Sequence, residues 1–442
     1  MIQLRKLTWL QNLSNASLDY RIFKMLKKFI GGMALASTLF AAPLYASDAL
    51  PNTVFFDAEL IAESKARIHN DTATEEAQAS YARLLEEAES AIAVGLLSVT
   101  DKTLLPPSGD RHDYFSISPY WWPNPDTEDG LPWIRHDGKT NPDSKTDATD
   151  SVRIGLFTRS VRALGVAYYF SGDEKYAEHA AKMLRHWFIN PETRMNPNLR
   201  YAQAVPGVDD QRRSGMIDSR SFSDRLVDAL SLLEASEHWT EEDNKAMRAW
   251  LGEFLNWLIT SEQGTAEQYA GNNHGTWMQA QIAGIAYYLG KDDIAKMAVA
   301  NTKWRIREQL DSKGSQPEEL ARTRGYHYSY FNLDAMAYLA QLGDKMGIDI
   351  WNHDYKGRNI KSAIDYVAQF QKAEDWPHED NDVKKGRFQT YRMLTVYRKA
   401  DLAWGTDHYD EVIKEIGFEN AELNNLSQVW AERDAYLIYP KL

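Results

Sequence analysis

From Phe56 almost to the C-terminus, apolar residues recur at three- and four-residue spacing in one block after another, with hardly any strand-like alternation. That period puts apolar side chains on one face of a helix, and such a face must be buried against other helices. The blocks come in pairs. Residues 56–97 are rich in Ala and Glu and predict two helices parted near Asn70–Thr74. Further pairs are predicted at 147–170 with 172–189 and at 217–236 with 240–260, joined by short turns such as Ser171-Gly172-Asp173. Single helical blocks follow at 275–289, 291–311, 327–346, 358–372, 388–402 and 425–438. The fold class is therefore all-α, with the helical hairpin as its unit.

Hairpins that repeat without a fixed sequence period fit an open solenoid or a closed α/α toroid. Two irregular stretches favour the toroid. Residues 102–146 hold prolines at 106, 107, 119, 123, 125, 132 and 142 among many aromatic residues, and residues 191–216 are also long and polar. Prolines exclude a helix there, and ordered loops of that length are commonly functional. The expected architecture is an α/α toroid, an incomplete barrel of helical hairpins whose long loops line a cleft at one end. Nothing resembling a flexible linker divides residues 47–442, so one domain is expected.

Residues 25–46 have a different character. Lys27 and Lys28 precede an apolar run from Phe29 to Phe40, and small residues lead to Ala46. This is the layout of a secretory signal, too short for a permanent span. Met25 is then the natural start, and the mature protein is expected in the periplasm or outside the cell. Residues 1–46 carry six Lys/Arg and one Asp, so their removal takes the formal charge from −13 to −18. An acidic protein is a poor partner for nucleic acid or anionic membranes. The absence of cysteine removes disulfides, thiolate metal sites and cysteine nucleophiles together. A monomer or weak homodimer is expected.

Four segments concentrate side chains suited to chemistry. Gly271-Asn272-Asn273-His274-Gly275-Thr276-Trp277 lies where a loop meets a helix expected to begin near Thr276, and it reads either as a cluster of donors for an anion or as ordinary helix capping. A second segment, from Gln316 to Tyr330, packs Arg322, Arg324, Tyr326, His327, Tyr328 and Tyr330 into nine residues. Guanidinium, phenol and imidazole groups gather where anionic sugars are gripped, although core packing and surface ion pairing are the plainer reading. The third runs from Gly109 through His112 and Tyr114 to Tyr120-Trp121-Trp122, where the tryptophans can stack on a pyranose or plug the loop onto the core. In the fourth, Arg220 can bind a carboxylate or pair with Asp218.

Asn272-Asn273-His274 followed by Trp277, and Glu319-Leu320-Ala321-Arg322-Thr323 followed by Tyr328, resemble the signatures of the alginate lyase superfamily, polysaccharide lyase families 38 and 5. The His112–Tyr114 and Tyr120–Trp122 stretches and the Ser219-Arg220 pair fit the same resemblance, which is closer to family 38. It implies an α/α toroid that cleaves a 1,4-linked polyuronate by β-elimination, with Asn273, His274, Arg322 and Tyr328 at the reacting sugar. Tyr326 and Tyr330 stand as alternatives to Tyr328.

Each of the four answers a difficulty of that reaction. Removing the C5 proton beside a carboxylate builds up charge that Asn273 and His274 can neutralise. Arg322 adds a positive charge and is expected to lower the pKa of Tyr328, making it both base and acid. The remaining candidates, His112, Tyr114, Tyr120, Trp121, Trp122, Arg220, Asn272, Arg324, Tyr326, His327 and Tyr330, are assigned to binding an anionic polysaccharide.

Two other classes compete. A toroidal glycoside hydrolase would use two carboxylates among Asp110, Asp113 and Asp218, and a non-catalytic glycan-binding protein would use only Trp121 and Trp122. The histidines at 112, 136, 274, 327 and 378 show no metal-ligand spacing, so neither metal nor cofactor is expected.

Overall fold

The computed structural model describes residues 50–441, and the segment read as an export signal lies outside them. Helices α1 (Ala58–His69) and α2 (Glu75–Val94) form the first hairpin, capped by Asp57 and Thr74, whose side chains accept from Leu60 N and Ala77 N. The loop after them carries β1 (Phe115–Ile117), β2 (Trp121–Trp122) and β3 (Ile134–Arg135). Helix α3 (Ser151–Ser171) ends at Gly172 in the left-handed conformation, and Asp173 caps α4 (Glu174–Leu184), which continues as a π turn to Ile189. Strand β4 (Tyr201–Ala204) pairs in parallel with β1, while β2 and β3 are antiparallel with Trp121 opposite Arg135.

The block predicted as one helix at 217–236 is broken. It forms a 3-10 segment Arg213–Ser219, a π turn Phe222–Leu226 and only then α5 (Val227–Leu233). Ser219 and Ser223 donate back to the carbonyls of Met216 and Arg220, and such bonds compete with a regular helical ladder. Beyond it come α6 (Glu241–Thr260), α7 (Glu262–Gln268), α8 (Asn273–Tyr288), α9 (Asp292–Gln309), α10 (Pro317–Leu320), α11 (Gly325–Met346), α12 (Ile360–Ala368), α13 (Asn381–Lys384), α14 (Leu394–Trp404), α15 (Asp410–Ile416) and α16 (Leu426–Arg433). The sequence pattern does not announce α7, α10, α13 and α15, because a helix of two turns or less is too short to display a period.

Helices α2, α3, α5, α8, α11, α14 and α16 each touch the next, and α16 returns to touch α2. They form an inner ring. The partners α1, α4, α6, α9, α12 and α15 pack around its outside. Helix α8, enclosed by neighbours on most sides, buries nearly every residue. Between the layers, Phe157 stacks on Trp187 at 4.4 Å and Trp250 on Phe254 at 5.2 Å, with Phe188 and Phe222 edge-on between them. Pairs of this kind are worth about 0.5–1.5 kcal/mol each beyond their buried area. At the seam, Glu87 of α2 accepts from Trp430 Nε1 and Arg433 Nη1 of α16, both at 2.6 Å. No helix among the described residues is long and apolar enough to cross a membrane.

Candidate active site

Helix α8 begins on the Asn-Asn-His triplet itself, earlier than its periodicity suggests. Asn272 is its N-cap, accepting from His274 N at 3.2 Å, so this amide serves the helix end as the plainer reading had it. Asn273 is buried, and its backbone N and Nδ2 both donate to the carboxylate of Glu319 at 2.6 Å. His274 Nδ1 lies 2.5 Å from Glu267 Oε1, and the other Glu267 oxygen accepts from Arg213 Nη1 at 2.5 Å. A carboxylate at Nδ1 assigns the ring proton to that nitrogen and leaves the lone pair on Nε2.

The turn before α8 is held from α9. Buried Arg305 donates to Ala270 O at 3.0 Å and Gln268 O at 2.7 Å, and Gln309 Nε2 donates to Asn272 O at 3.1 Å. Gly275 makes this approach possible, since a Cβ there would stand 2.4 Å from Arg305 Nη1 and 2.2 Å from Ala270 O. Burial pushes Glu319 up to about 7, although the Asn273 hydrogen bonds and the charges of His274 and Arg322 pull the other way.

Arg322 follows α10, and Tyr328 sits in the first turn of α11. Arg322 Nη2 donates to Tyr328 Oη at 2.9 Å, with the guanidinium 4.0 Å from the ring centroid. Asp137, from the loop after β3, grips the same guanidinium through Nε at 3.2 Å and Nη2 at 2.8 Å. Burial alone would raise Asp137, but Arg322, Arg135 and the Thr323 backbone bring its pKa down to about 2. Tyr120 Oη is 2.8 Å from Tyr328 Oη and accepts from Arg324 Nη1 at 3.3 Å, while Arg324 Nε donates to Asp382 at 2.5 Å.

Arg322 does lower the Tyr328 pKa, as expected, but it does not prevail. Burial and the adjacent Tyr120 phenol raise it by more than Arg322 and Arg324 lower it. Tyr328 therefore rests as a neutral phenol.

The loop tryptophans are half-exposed beside a basic rim. Arg212 lies over the Trp121 ring at 5.4 Å and Lys139 over Trp122 at 4.6 Å. Two residues assigned to substrate are corrected. Tyr114 is wholly buried with its hydroxyl donating to Asp218 at 3.0 Å, and Tyr326 is buried against Trp376 and Phe388. Both rings are enclosed by protein in this arrangement. His327 and Tyr330 bond to each other, Nδ1 to Oη at 2.6 Å; burial and four nearby arginines hold His327 well below its usual range. His112 is half-buried in another loop cluster, its Nδ1 on Arg194 O at 2.6 Å. Arg220 does not pair with Asp218, whose oxygens take Tyr114, Ser116 and Gln203; it lies instead over Phe331 at 5.4 Å.

Asp110 and Asp113, the other carboxylates that a hydrolase would need, are engaged by Asn196. The sequence reading missed Glu267, Glu319, Asp137, Arg213 and Arg305. Only Glu319 lay inside a motif already singled out.

The alginate lyase family model matches residues 98–376, which include Asp137, Glu267, Asn273, His274, Glu319, Arg322 and Tyr328. The chain belongs to the alginate lyase family. It is similar to an alginate lyase from Bacteroides ovatus known by crystal structure, with 34% identity and a TM-score of 0.79 over 88% of this chain and 99% of that one. It also shares its fold with alginate lyase A1-III from Sphingomonas species A1, at 15% identity and a TM-score of 0.51 over 83% of this chain and 92% of that one. The same enzyme in complex with a tetrasaccharide superposes with a TM-score of 0.53, again at 15% identity, over 84% of this chain and 92% of that one. No curated protein matches. This member of the alginate lyase family is a polysaccharide lyase with an α/α toroid fold.

Proposed function

We propose that this lyase cleaves alginate, mannuronate-containing stretches above all, by β-elimination to 4,5-unsaturated oligouronates. The observation that carries the reading is the Arg322–Tyr328 contact, with His274 fixed nearby through Glu267. His274 and Asn273 face the task of neutralising the C5 carboxylate, and Arg322 supplies fixed positive charge beside the phenol. The relatives named as alginate lyases support the substrate.

The sugar's stereochemistry divides the work. In guluronate the C5 proton and O4 lie on opposite sides, so His274 Nε2 takes the proton while neutral Tyr328 protonates O4. In mannuronate and glucuronate they lie on the same side, and Tyr328 must do both. Its own proton then leaves first, through the Tyr120 hydroxyl, with Arg322 and Arg324 stabilising the phenolate. Glucuronan differs from polymannuronate in the configuration at C2 and is the second substrate proposed. The N-terminal segment supports export, so the reaction is placed in the periplasm or outside the cell.

An ultraviolet assay on polymannuronate, polyguluronate, glucuronan and hyaluronan, with and without chelator, tests the reading. Absorbing product should form fastest from polymannuronate. New reducing ends without that absorbance would overturn it.

A further inference from the structure

Tyr328 shares its site with a second phenol. The hydroxyls of Tyr328 and Tyr120 are 2.8 Å apart, and each has an arginine of its own: Arg322 Nη2 donates to Tyr328 at 2.9 Å and Arg324 Nη1 to Tyr120 at 3.3 Å. Each arginine in turn has an aspartate, Asp137 on Arg322 and Asp382 on Arg324. One unbroken chain of contacts, from Asp137 through Arg322, Tyr328, Tyr120 and Arg324 to Asp382, thus passes through the two hydroxyls. Its far end comes from the segment around α13. Asp380 Oδ1 accepts from Asp382 N at 2.7 Å and Val383 N at 3.2 Å, while its Oδ2 accepts from Tyr326 N at 2.9 Å. Asn381 N donates to Thr323 O at 2.8 Å. The segment therefore grips the backbone on both sides of Arg324, and the buried Asp382 takes Nε of Arg324 itself at 2.5 Å. The other Asp382 oxygen lies 2.7 Å from Nη2 of the exposed Arg387, so the carboxylate is held from two sides. A bond to Nε fixes the plane of a guanidinium and with it the direction in which Nη1 points.

We propose that Asp382 is a positioning residue that favours uronates whose C5 proton and O4 lie on the same side, by holding Arg324 against the Tyr120 hydroxyl. This rests on the polyuronate reading. Such a sugar needs a phenolate, so the phenol pair first gives up one proton to solvent through the half-buried Tyr120. The charge left behind is shared between two oxygens with a guanidinium at each end, Arg322 on one and Arg324 on the other. Tyr328 then takes the C5 proton, the C5–H electron pair becomes the C4–C5 double bond, and O4 leaves with the C4–O4 pair and that same proton. The phenol pair is again one proton short, ready for the next sugar. Guluronate makes no such demand, because His274 is its base and Tyr328 starts with its proton in place. Arg324, and Asp382 behind it, therefore serve one stereochemistry.

The test is the pH dependence of turnover by Asp382→Ala on polymannuronate and polyguluronate, read by ultraviolet absorbance. On polymannuronate, kcat should fall about tenfold or more and the pH at which it rises should move up by about one pH unit, since a phenolate that has lost a guanidinium forms at higher pH. The polyguluronate profile should keep its height and its position. Asp382→Asn, whose amide oxygen still accepts from Nε, should recover most of the loss. If Asp382→Ala does not fold, Arg324→Gln, too short to reach Tyr120, gives the same readout. Equal losses on both polymers, a loss on polymannuronate with its profile unmoved, or no recovery in Asp382→Asn overturns the proposal. Where the unsubstituted enzyme leaves polyguluronate intact, the polymannuronate profile and the Asp382→Asn recovery decide alone. Failure of the polyuronate reading is separately visible, as no absorbing product from any polymer with the unsubstituted enzyme.

Discussion

Tyr328 is held by neighbours on three sides, and each makes a different experiment informative. Removing its hydroxyl in Tyr328→Phe should lower turnover by roughly 10²–10⁴-fold, the usual worth of a positioned acid–base group. Polymer binding, measured by affinity electrophoresis, should persist. Activity within a few fold of the parent would move the role elsewhere. Glu267 acts through His274 by fixing which nitrogen bears the proton. Glu267→Gln should therefore slow polyguluronate cleavage by about tenfold or more, as when a carboxylate that orients a catalytic imidazole is lost. Polymannuronate cleavage should suffer less, and equal losses on both polymers would mean that His274 is not the base. Glu319 makes a pH prediction. As pH falls through about 7 its carboxylate gains a proton, and one of the two oxygens facing donors on Asn273 becomes a donor itself. The kcat/KM profile should rise through that pH. Glu319→Gln, which keeps a donor there permanently, should flatten that limb and lower the plateau.

At the scale of elements, the loop carrying β2 and β3 is a strap across the start of α11. Gly138 has φ +67° and sits so close to Thr323 that a Cβ would come within 2.3 Å of Oγ1. Gly138→Ala should lift the strap, part Asp137 from Arg322 and lower kcat/KM by about tenfold, while Tm moves by only a few degrees. Unaltered kinetics would show that the strap is dispensable. The sequence announced the hairpins, because a long helix buried on one face must repeat its apolar residues. It could not announce the strap's function. Asp137 and Arg322 are 185 residues apart, and a lone aspartate in a loop has no spacing to betray it. Glu267 is hidden likewise in a short polar helix. Tyr114 and Tyr326 misled for a related reason: a tyrosine in a motif-rich segment reads the same whether its ring faces a cleft or the core.

The whole molecule depends on a ring closed between its first and last inner helices. Glu87 is buried and bonded to both Trp430 and Arg433, and leaving Arg433 without it should cost about 3–5 kcal/mol. Glu87→Ala should accordingly shift the urea midpoint downward, with the slope of the transition unchanged. A loss below about 1 kcal/mol would show the seam held by packing alone. The partners at that seam are 346 residues apart in sequence. A chain emerging from synthesis can build hairpin after hairpin, yet α2 keeps one face uncovered until the final helix arrives. A contact of such long sequence separation is expected to form late, after the barrier to folding. In stopped-flow measurements Glu87→Ala should hasten unfolding and leave the refolding rate nearly as it was.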